Sequence, residues 1–267
     1  MAQKTIFITG GGSGIGRAVA ERFGREGWFV GLADINEDGM AGTAALIPAG
    51  HSSQHKLDVR DRAGWDAALA DCAAASGGKI DVVFNNAGIP IGGRIVDVST
   101  EEVERTLDIN LKGVIFGAQA AYPWLKAAGP GSCLLNTASA AGIYGVPGGS
   151  VYSATKFGVR SITESLDAEW KDDGIMVRDL MPSFIETPLL DHAPNRASNQ
   201  DIRGQVTGAG LEISPVSDVA DAAWAAIHGA KLHTTVGKTA KRLAFAARWM
   251  PGGLRKQVSG LGRPLGG

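Results

Sequence analysis

Thr9-Gly-Gly-Gly-Ser-Gly-Ile-Gly16 joins an apolar run, residues 4–9, to a segment with helical periodicity. It therefore predicts the turn between a first strand and a first helix. The N–H groups at a helix N-terminus attract phosphate, and glycines let a phosphate come close to the backbone. The glycines are spaced G-x-x-x-G-x-G, which differs from the common dinucleotide-binding spacing G-x-G-x-x-G. The turn is thus a candidate pyrophosphate site.

Strand-like and helix-like segments alternate along the rest of the chain, which is typical of a parallel sheet covered on both faces. The predicted strands are 4–9, 28–33, 54–58, 81–84, 132–137, 175–181 and 233–236, and the predicted helices are 14–26, 37–46, 62–75, 100–127, 149–171 and 217–228. Ser99 and Glu102 predict a capping box for the fourth helix. The expected fold class is α/β: a Rossmann-type, doubly wound, seven-stranded parallel sheet with helices on both faces.

Composition favours one globular domain over other classes of chain. Of 267 residues, 44% are hydrophobic and 20% are charged, and two cysteines give neither a disulfide framework nor a CxxC motif. No apolar run is long enough to span a membrane, and the first residues lead straight into a strand, so a cytoplasmic location is expected. The five histidines predict no metal site, and no basic–aromatic pattern indicates nucleic acid binding.

The C-terminal segment has a charge pattern of its own. Eight basic residues and no acidic one follow Asp221, whereas 18 basic and 27 acidic residues precede them. We expect a single catalytic domain at 1–237 and a basic, apolar extension at 238–267. Its helix, 239–249, is interrupted early by Pro251-Gly-Gly253. A neighbouring subunit or the substrate mouth is therefore favoured over a membrane as its cover.

Asp34 ends the second predicted strand, about 20 residues beyond the glycine turn. A carboxylate there accepts hydrogen bonds from ribose hydroxyls and repels a 2′-phosphate. Capping of the next helix is the alternative role for this aspartate.

Tyr152 and Lys156 lie four residues apart on one face of a predicted helix. A free tyrosine has a pKa of about 10, and a neighbouring ammonium favours the phenolate. We therefore expect Lys156 to lower the pKa of Tyr152.

The glycine turn, Asn110, Ser139 and Tyr152-x-x-x-Lys156, in this order, resemble the short-chain dehydrogenase/reductase family, in its compact single-domain branch, over about residues 4–237. The resemblance implies four catalytic residues. Tyr152 would donate the proton in reduction and accept it in oxidation, and Lys156 would assist it and bind the nicotinamide ribose. Ser139 would orient the substrate oxygen, and Asn110 would hold a water that connects Lys156 to solvent.

The resemblance also implies the cofactor contacts. Asp58 and Val59 resemble the pair at the adenine ring, and Thr187 resembles the residue that binds the nicotinamide carboxamide. The full expected set is Gly10, Ser13, Gly14, Ile15, Gly16, Asp34, Asp58, Val59, Asn86, Ala87, Gly88, Tyr152, Lys156, Ile185 and Thr187. NADP-using relatives place a basic residue where this chain has Ser13 or Ile35, so NAD is the expected cofactor. Ser183 replaces a family glycine, and a positive φ there would cost about 1 kcal/mol.

An NAD(H)-dependent oxidoreductase that interconverts a secondary alcohol and a ketone is therefore the expected function. The alternative is a catalytically idle NAD-sensing or scaffold protein on the same fold. The pocket lining that the resemblance implies is apolar, which predicts a lipophilic substrate. Its members are Ile89, Ile91, Ala141, Ile143, Tyr144, Val146, Phe184, Leu189 and Leu190. Two long predicted helices carry more apolar residues than one sheet face can cover. Together with the resemblance, this predicts a homodimer or homotetramer. The apolar residues concerned are Leu107, Leu111, Phe116, Trp124, Phe157, Ile162, Leu166 and Trp170.

Overall fold

A parallel sheet of seven strands forms the centre of the computed structural model, which describes residues 3–195 and 198–261. The strands are β1 Thr5–Thr9, β2 Phe29–Asp34, β3 Ser52–Lys56, β4 Val82–Asn85, β5 Cys133–Thr137, β6 Met176–Pro182 and β9 His233–Val236. Their spatial order is β3-β2-β1-β4-β5-β6-β9. The order in which successive strands are added reverses between β1 and β4, so ligands are expected at the carboxyl ends of these two parallel strands.

Helices cover both faces of this sheet, as predicted. They are α1 Gly14–Arg25, α2 Glu37–Ala44, α3 Arg62–Ala75, α4 Thr100–Leu107, α5 Gly113–Ala128, α6 Ser150–Glu169, α7 Ile202–Gly208, α8 Val216–His228, α9 Lys238–Trp249 and α10 Pro251–Leu261. On one face Phe23 and Val219 pack against Ile8, and on the other Trp65 and Leu125 are wholly buried. The Rossmann-type fold class is therefore confirmed.

The largest departure from the predicted elements lies in the fourth helix. The capping box is present, since Ser99 Oγ accepts from the Glu102 N–H and Glu102 Oε2 accepts from the Ser99 N–H. The predicted helix 100–127 is divided by a π-helical turn, Asp108–Lys112. Such a turn inserts one residue into the helical ladder and is frequent at functional sites. It contains Asn110, and asparagine is unfavourable inside a regular helix.

Three smaller differences concern the loop after β6, the C-terminal segment and strand β3. The loop contains β7, Phe184–Ile185, which pairs in parallel with β8, Ile213–Ser214. Pro251 begins α10 rather than ending the helical segment, because proline is well tolerated in a first turn. Strand β3 lies two residues earlier than predicted. No helix among the described residues is long and apolar enough to cross a membrane.

Candidate active site

The glycine turn forms a concave backbone surface at the carboxyl end of β1. Gly10 and Gly14 have φ values of +67° and +51°, which favour glycine. A Cβ on Gly16 would lie 2.0 Å from the Gly10 carbonyl oxygen, so no larger residue fits there. Ser13 precedes α1 but its side chain does not cap the helix. The first-turn N–H groups next to Ile15 are therefore left to bind an anion such as a pyrophosphate.

Asp34 lies beside this turn, as predicted. Its Oδ2 accepts from the Gly12 N–H at 2.9 Å, and its Oδ1 accepts from the Asn36 N–H at 3.0 Å. Helix α2 is capped by Asn36, whose Oδ1 accepts from the Gly39 N–H at 2.9 Å. Asp34 is thus not the cap of this helix. A carboxylate oxygen accepts more than one hydrogen bond, so Asp34 keeps acceptor capacity for ribose hydroxyls.

A polar network joins β1, β4 and β5 directly below the turn. Thr9 Oγ1 accepts from the N–H groups of Asn86 and Ala87 at 3.0 and 3.1 Å. The Asn86 side-chain amide donates to the Thr9 carbonyl at 2.9 Å and accepts from Thr137 Oγ1 at 3.2 Å. Asn86 and Ala87 are therefore fixed against the cofactor turn. Thr9 and Thr137 were not among the predicted site residues, although their places at strand ends were a usable signal.

Asn110 holds the next part of the same loop. Its Oδ1 accepts from the Ile89 N–H at 2.8 Å, and its Nδ2 donates to the Ile89 carbonyl at 2.9 Å. The π-helical turn directs this amide toward the loop, and Gly88 packs beside Asn110 Oδ1. Asn110 therefore positions backbone after β4. The implied role as a water holder stays a prediction.

Ser139, Tyr152 and Lys156 converge at the carboxyl end of β5. Lys156 is buried, and its Nζ donates to the Thr137 carbonyl at 2.7 Å and lies 5.6 Å from the centre of the Tyr152 ring. Ser139 Oγ accepts from the Ala141 N–H at 3.1 Å and lies 3.4 Å from the Pro182 carbonyl oxygen. Three side chains able to donate a proton or a hydrogen bond thus meet in one place.

The expected direction of the Tyr152 pKa is wrong for the protein alone. Burial raises the pKa of Tyr152 above its ordinary value, and a hydrogen bond with the Ser139 side chain acts in the opposite direction. Burial also lowers the pKa of Lys156 to about 8. Desolvation penalises the charged form of each group, which raises the pKa of the phenol and lowers that of the ammonium. The phenol is therefore neutral at neutral pH.

The remaining predicted cofactor residues are Thr187, Ile185, Val59 and Asp58, and they differ in where the fold places them. Thr187 flanks Gly14, since its Cγ2 would lie 3.3 Å from a Cβ there, and Ile185 is buried in β7. Val59 is buried and packs against Gly113. Asp58 is instead paired with Arg60, whose guanidinium lowers the pKa of that carboxyl. The carboxylate of Asp58 is therefore held by Arg60, and within the described residues no hydrogen bond of this side chain links it to the glycine turn.

Ser183 is accommodated without strain. No residue other than glycine has a positive φ within 3–195 and 198–261. The Ser183 N–H donates to the Val236 carbonyl at 3.1 Å, which continues the pairing of β6 with β9. The expected cost of replacing the family glycine is therefore absent.

Backbone hydrogen bonds join three loops that contain Gly92, Gly148 and Pro194. The Gly92 N–H donates to the Pro194 carbonyl at 2.8 Å, and the Gly93 N–H donates to the Gly148 carbonyl at 2.7 Å. Arg203 of α7 ties the same region together with ion pairs to Glu186 at 2.6 Å and Asp191 at 2.8 Å. Of the expected pocket-lining residues, three are buried in this region, namely Ile91, Ala141 and Leu190.

Comparison with known proteins gives a consistent family. Residues 4–198 match the sequence profile described as short chain dehydrogenase. The chain is 40% identical, over 72% of its length and 76% of the relative's, to a 2-dehydro-3-deoxy-L-rhamnonate dehydrogenase (NAD(+)) of Sphingomonas sp. (strain SKA58). It is 31% identical, over 89% and 95%, to a meso-2,3-butanediol dehydrogenase of Serratia marcescens. A solved short chain dehydrogenase/reductase of Burkholderia phymatum in complex with NAD superposes with a TM-score of 0.83, at 26% identity and over 96% and 95% of the two chains.

Proposed function

This chain belongs to the short-chain dehydrogenase/reductase family of oxidoreductases, and we propose that it interconverts a secondary alcohol and a ketone with NAD(H). The observation that carries the proposal is the convergence of Ser139, Tyr152 and Lys156 beside the glycine turn. A proton-transfer group and a nucleotide cradle are the two parts that such a reaction needs.

The cradle fits NAD(H). Gly16 cannot carry a side chain, and the first turn of α1 leaves its N–H groups for a pyrophosphate. Asp34 offers acceptors to the adenosine ribose and repels a 2′-phosphate. Arg17, the nearest basic residue, donates to the Gly12 carbonyl at 2.6 Å and to Thr43 Oγ1 at 3.0 Å. Its guanidinium is thus already bound to the protein, which supports NAD(H) over NADP(H).

The nicotinamide, when bound, supplies the hydride transfer. In ketone reduction the neutral Tyr152 phenol donates its proton to the carbonyl oxygen, and in alcohol oxidation the phenolate accepts the hydroxyl proton. The Ser139 hydroxyl hydrogen-bonds the same substrate oxygen. Lys156, held at Thr137, provides the positive charge that favours the phenolate during turnover.

The substrate class rests on the apolar lining of the loops above Tyr152. Ile91, Ala141 and Leu190 offer no charge to pair with a carboxylate, which favours a lipophilic alcohol or ketone. The relatives named above act on a sugar acid and on a small diol, so substrate choice varies among similar chains. An idle NAD-sensing or scaffold protein is the alternative, and the intact set of Asn110, Ser139, Tyr152 and Lys156 argues against it.

We place the protein in the cytoplasm. Cys72 and Cys133 are buried and unpaired, and burial raises the pKa of each thiol to about 12. Such unreactive thiols fit a reducing compartment.

The test is a screen of secondary alcohols and ketones that follows NADH absorbance, with Tyr152→Phe as the inactive control. Turnover of one compound by the natural protein alone supports the proposal. NADH binding without turnover of any compound in a broad panel supports the idle alternative. Turnover of polar sugar acids alone overturns the lipophilic class while leaving the reaction class intact.

A further inference from the structure

The C-terminal helix α9 has an unusual outer face. Ala240 is fully buried and fixes the inner face of the helix, toward β9 and the turn Ala140–Gly142. At 100° per residue, Phe245 and Trp249 fall on the opposite side. They are 60% and 64% exposed, and they lie one helical turn apart. Phe245 and Trp249 therefore form an exposed aromatic strip on the outer face of α9.

Basic residues surround this aromatic strip. Lys241, Arg242 and Arg248 are exposed on α9, and the Arg248 guanidinium lies 5.2 Å from the centre of the Trp249 ring. Met250, 56% exposed, extends the apolar surface toward α10, where Arg255 and Lys256 are exposed. No acidic residue occurs anywhere in 222–267.

We propose that this outer face of α9, with the start of α10, binds the surface of an anionic membrane. A tryptophan ring is favoured at the boundary between headgroups and acyl chains, where its apolar body and polar N–H are both accommodated. Basic side chains beside it are attracted to the anionic headgroups near the membrane surface. The face combines both features along one helix, as helices that lie in the membrane interface do.

A second copy of the chain is the less fitting occupant of this face. Most homodimers use a two-fold axis, which places the same patch of each subunit against the other. Such a contact would bring two copies of this basic patch together, with no acidic side chain in 222–267 to compensate. On α9, Lys238 pairs with Glu212 at 3.6 Å, so the charge of this lysine is already balanced by a residue of the same chain.

The sequence favoured the substrate mouth or a subunit as the cover for this helix. The structure separates its two faces: the inner face packs near the catalytic Ser139 through Ala140–Gly142, and the aromatic face is directed away from it. Phe245 and Trp249 therefore do not close the substrate mouth. A bound membrane would lie on the far side of α9, one helix diameter from the catalytic loops. This surface is independent of the proposed reaction.

Sedimentation of the full-length protein with vesicles tests the inference. We expect binding to phosphatidylcholine vesicles that contain about 30% phosphatidylglycerol at about 0.15 M salt, and little binding to phosphatidylcholine alone. The double substitution Phe245→Ser with Trp249→Ser should weaken binding about tenfold or more, because it removes both interfacial anchors. Lys241→Glu with Arg242→Glu should abolish it while leaving the aromatic residues in place.

Ile95→Ser with Val96→Ser is the matched control, because it removes two exposed apolar side chains, 59% and 73% exposed, from another surface. It should bind vesicles like the natural protein. NADH binding and the thermal midpoint confirm that each variant is folded. Absent vesicle binding, or binding retained by both variants of α9, overturns the inference. A lower molar mass of the Phe245→Ser, Trp249→Ser variant in light scattering, without any vesicle effect, identifies the face as a subunit contact and also overturns it.

Discussion

Lys156 is anchored to β5 by a 2.7 Å hydrogen bond from its Nζ to the carbonyl oxygen of Thr137. This bond holds the ammonium at the carboxyl end of β5, with Nζ 5.6 Å from the centre of the Tyr152 ring. The same threonine donates to Asn86 through its hydroxyl. Lys156 and the loop that begins at Asn86 therefore share one support, and a change at either is expected to affect both proton transfer and cofactor binding.

The two reaction directions should respond oppositely to pH. The pKa of Tyr152 is raised by burial, so the phenol that reduction needs is present at neutral pH. Oxidation needs the phenolate, and its kcat/KM should therefore rise as pH increases above neutrality. Reduction should be flat at neutral pH and fall at high pH. The measurement is kcat/KM against pH in each direction, and an oxidation plateau already reached at acidic pH would contradict it.

Tyr152→Phe should abolish turnover and leave NADH binding nearly unchanged, because the hydroxyl transfers the proton. Lys156→Ala should reduce both, since it removes the charge beside the phenol and the group expected at the ribose. Steady-state activity assays measure turnover, and titration with NADH followed by fluorescence measures cofactor binding. Retention of more than a few per cent of activity by Tyr152→Phe would exclude it as the proton donor.

Cofactor preference should depend on Asp34. We expect NAD(H) to be favoured over NADP(H) at least about tenfold in kcat/KM, or about 1.4 kcal/mol, because the carboxylate repels a 2′-phosphate. Asp34→Ala with Ile35→Arg should shrink or invert this ratio. Ile35 is 66% exposed, so Ile35→Arg alone is a control that should fold normally. Equal kcat/KM for both cofactors in the natural protein would refute the assignment.

Gly16→Ala should weaken NADH binding about tenfold or more, since the new Cβ would lie 2.0 Å from the Gly10 carbonyl and displace the turn. Gly208→Ala is the control, because a Cβ at that helical position meets no atom within 4 Å. Titration of both variants with NADH gives the comparison. Normal affinity in Gly16→Ala would show that the turn does not bind the pyrophosphate.

Stability should fall as pH rises because of one partly buried pair, His233 and Asp179. His233 Nδ1 lies 2.8 Å from Oδ2 of the buried Asp179, and this hydrogen bond raises the pKa of His233. A raised pKa in the folded state stabilises the protein below the unfolded value of about 6.5, and the contribution is lost as pH increases through the folded value. His233→Gln should cost about 2 kcal/mol at pH 5.5 and less at pH 9. Urea unfolding at both pH values measures this. His192→Gln, at an exposed histidine, should change neither.

The protein should be at least a dimer. Of the eight apolar residues expected at a subunit contact, Trp170 is instead buried in the core, and Phe116, Trp124 and Leu166 pack against it. Leu107 of α4 and Phe157 of α6 remain exposed, and so does Ile115 of α5. A single 27.6 kDa species in light scattering would contradict the prediction. Ile115→Glu should lower the molar mass of the assembly.

Local sequence patterns were sufficient to predict the order of strands and helices and the position of the glycine turn. The β–α alternation, the positions of Gly10, Gly14 and Gly16, and the capping box at Ser99 depend on neighbouring residues, which periodicity and turn chemistry describe. Tyr152 and Lys156 share a face because four residues make about one turn of a helix. These features required no knowledge of what lies opposite them in the fold.

Other properties depended on segments far apart in the chain. The π-helical turn around Asn110 exists where that amide reaches the backbone of Ile89, 21 residues earlier. The direction of the Tyr152 pKa follows from how deeply the folded chain buries the phenol and Lys156, which no spacing encodes. The outward face of α9 is likewise known only once Ala240 has been placed against the core. Burial and long-range contact are sums over the whole packed molecule, so they appear only when the tertiary structure is complete.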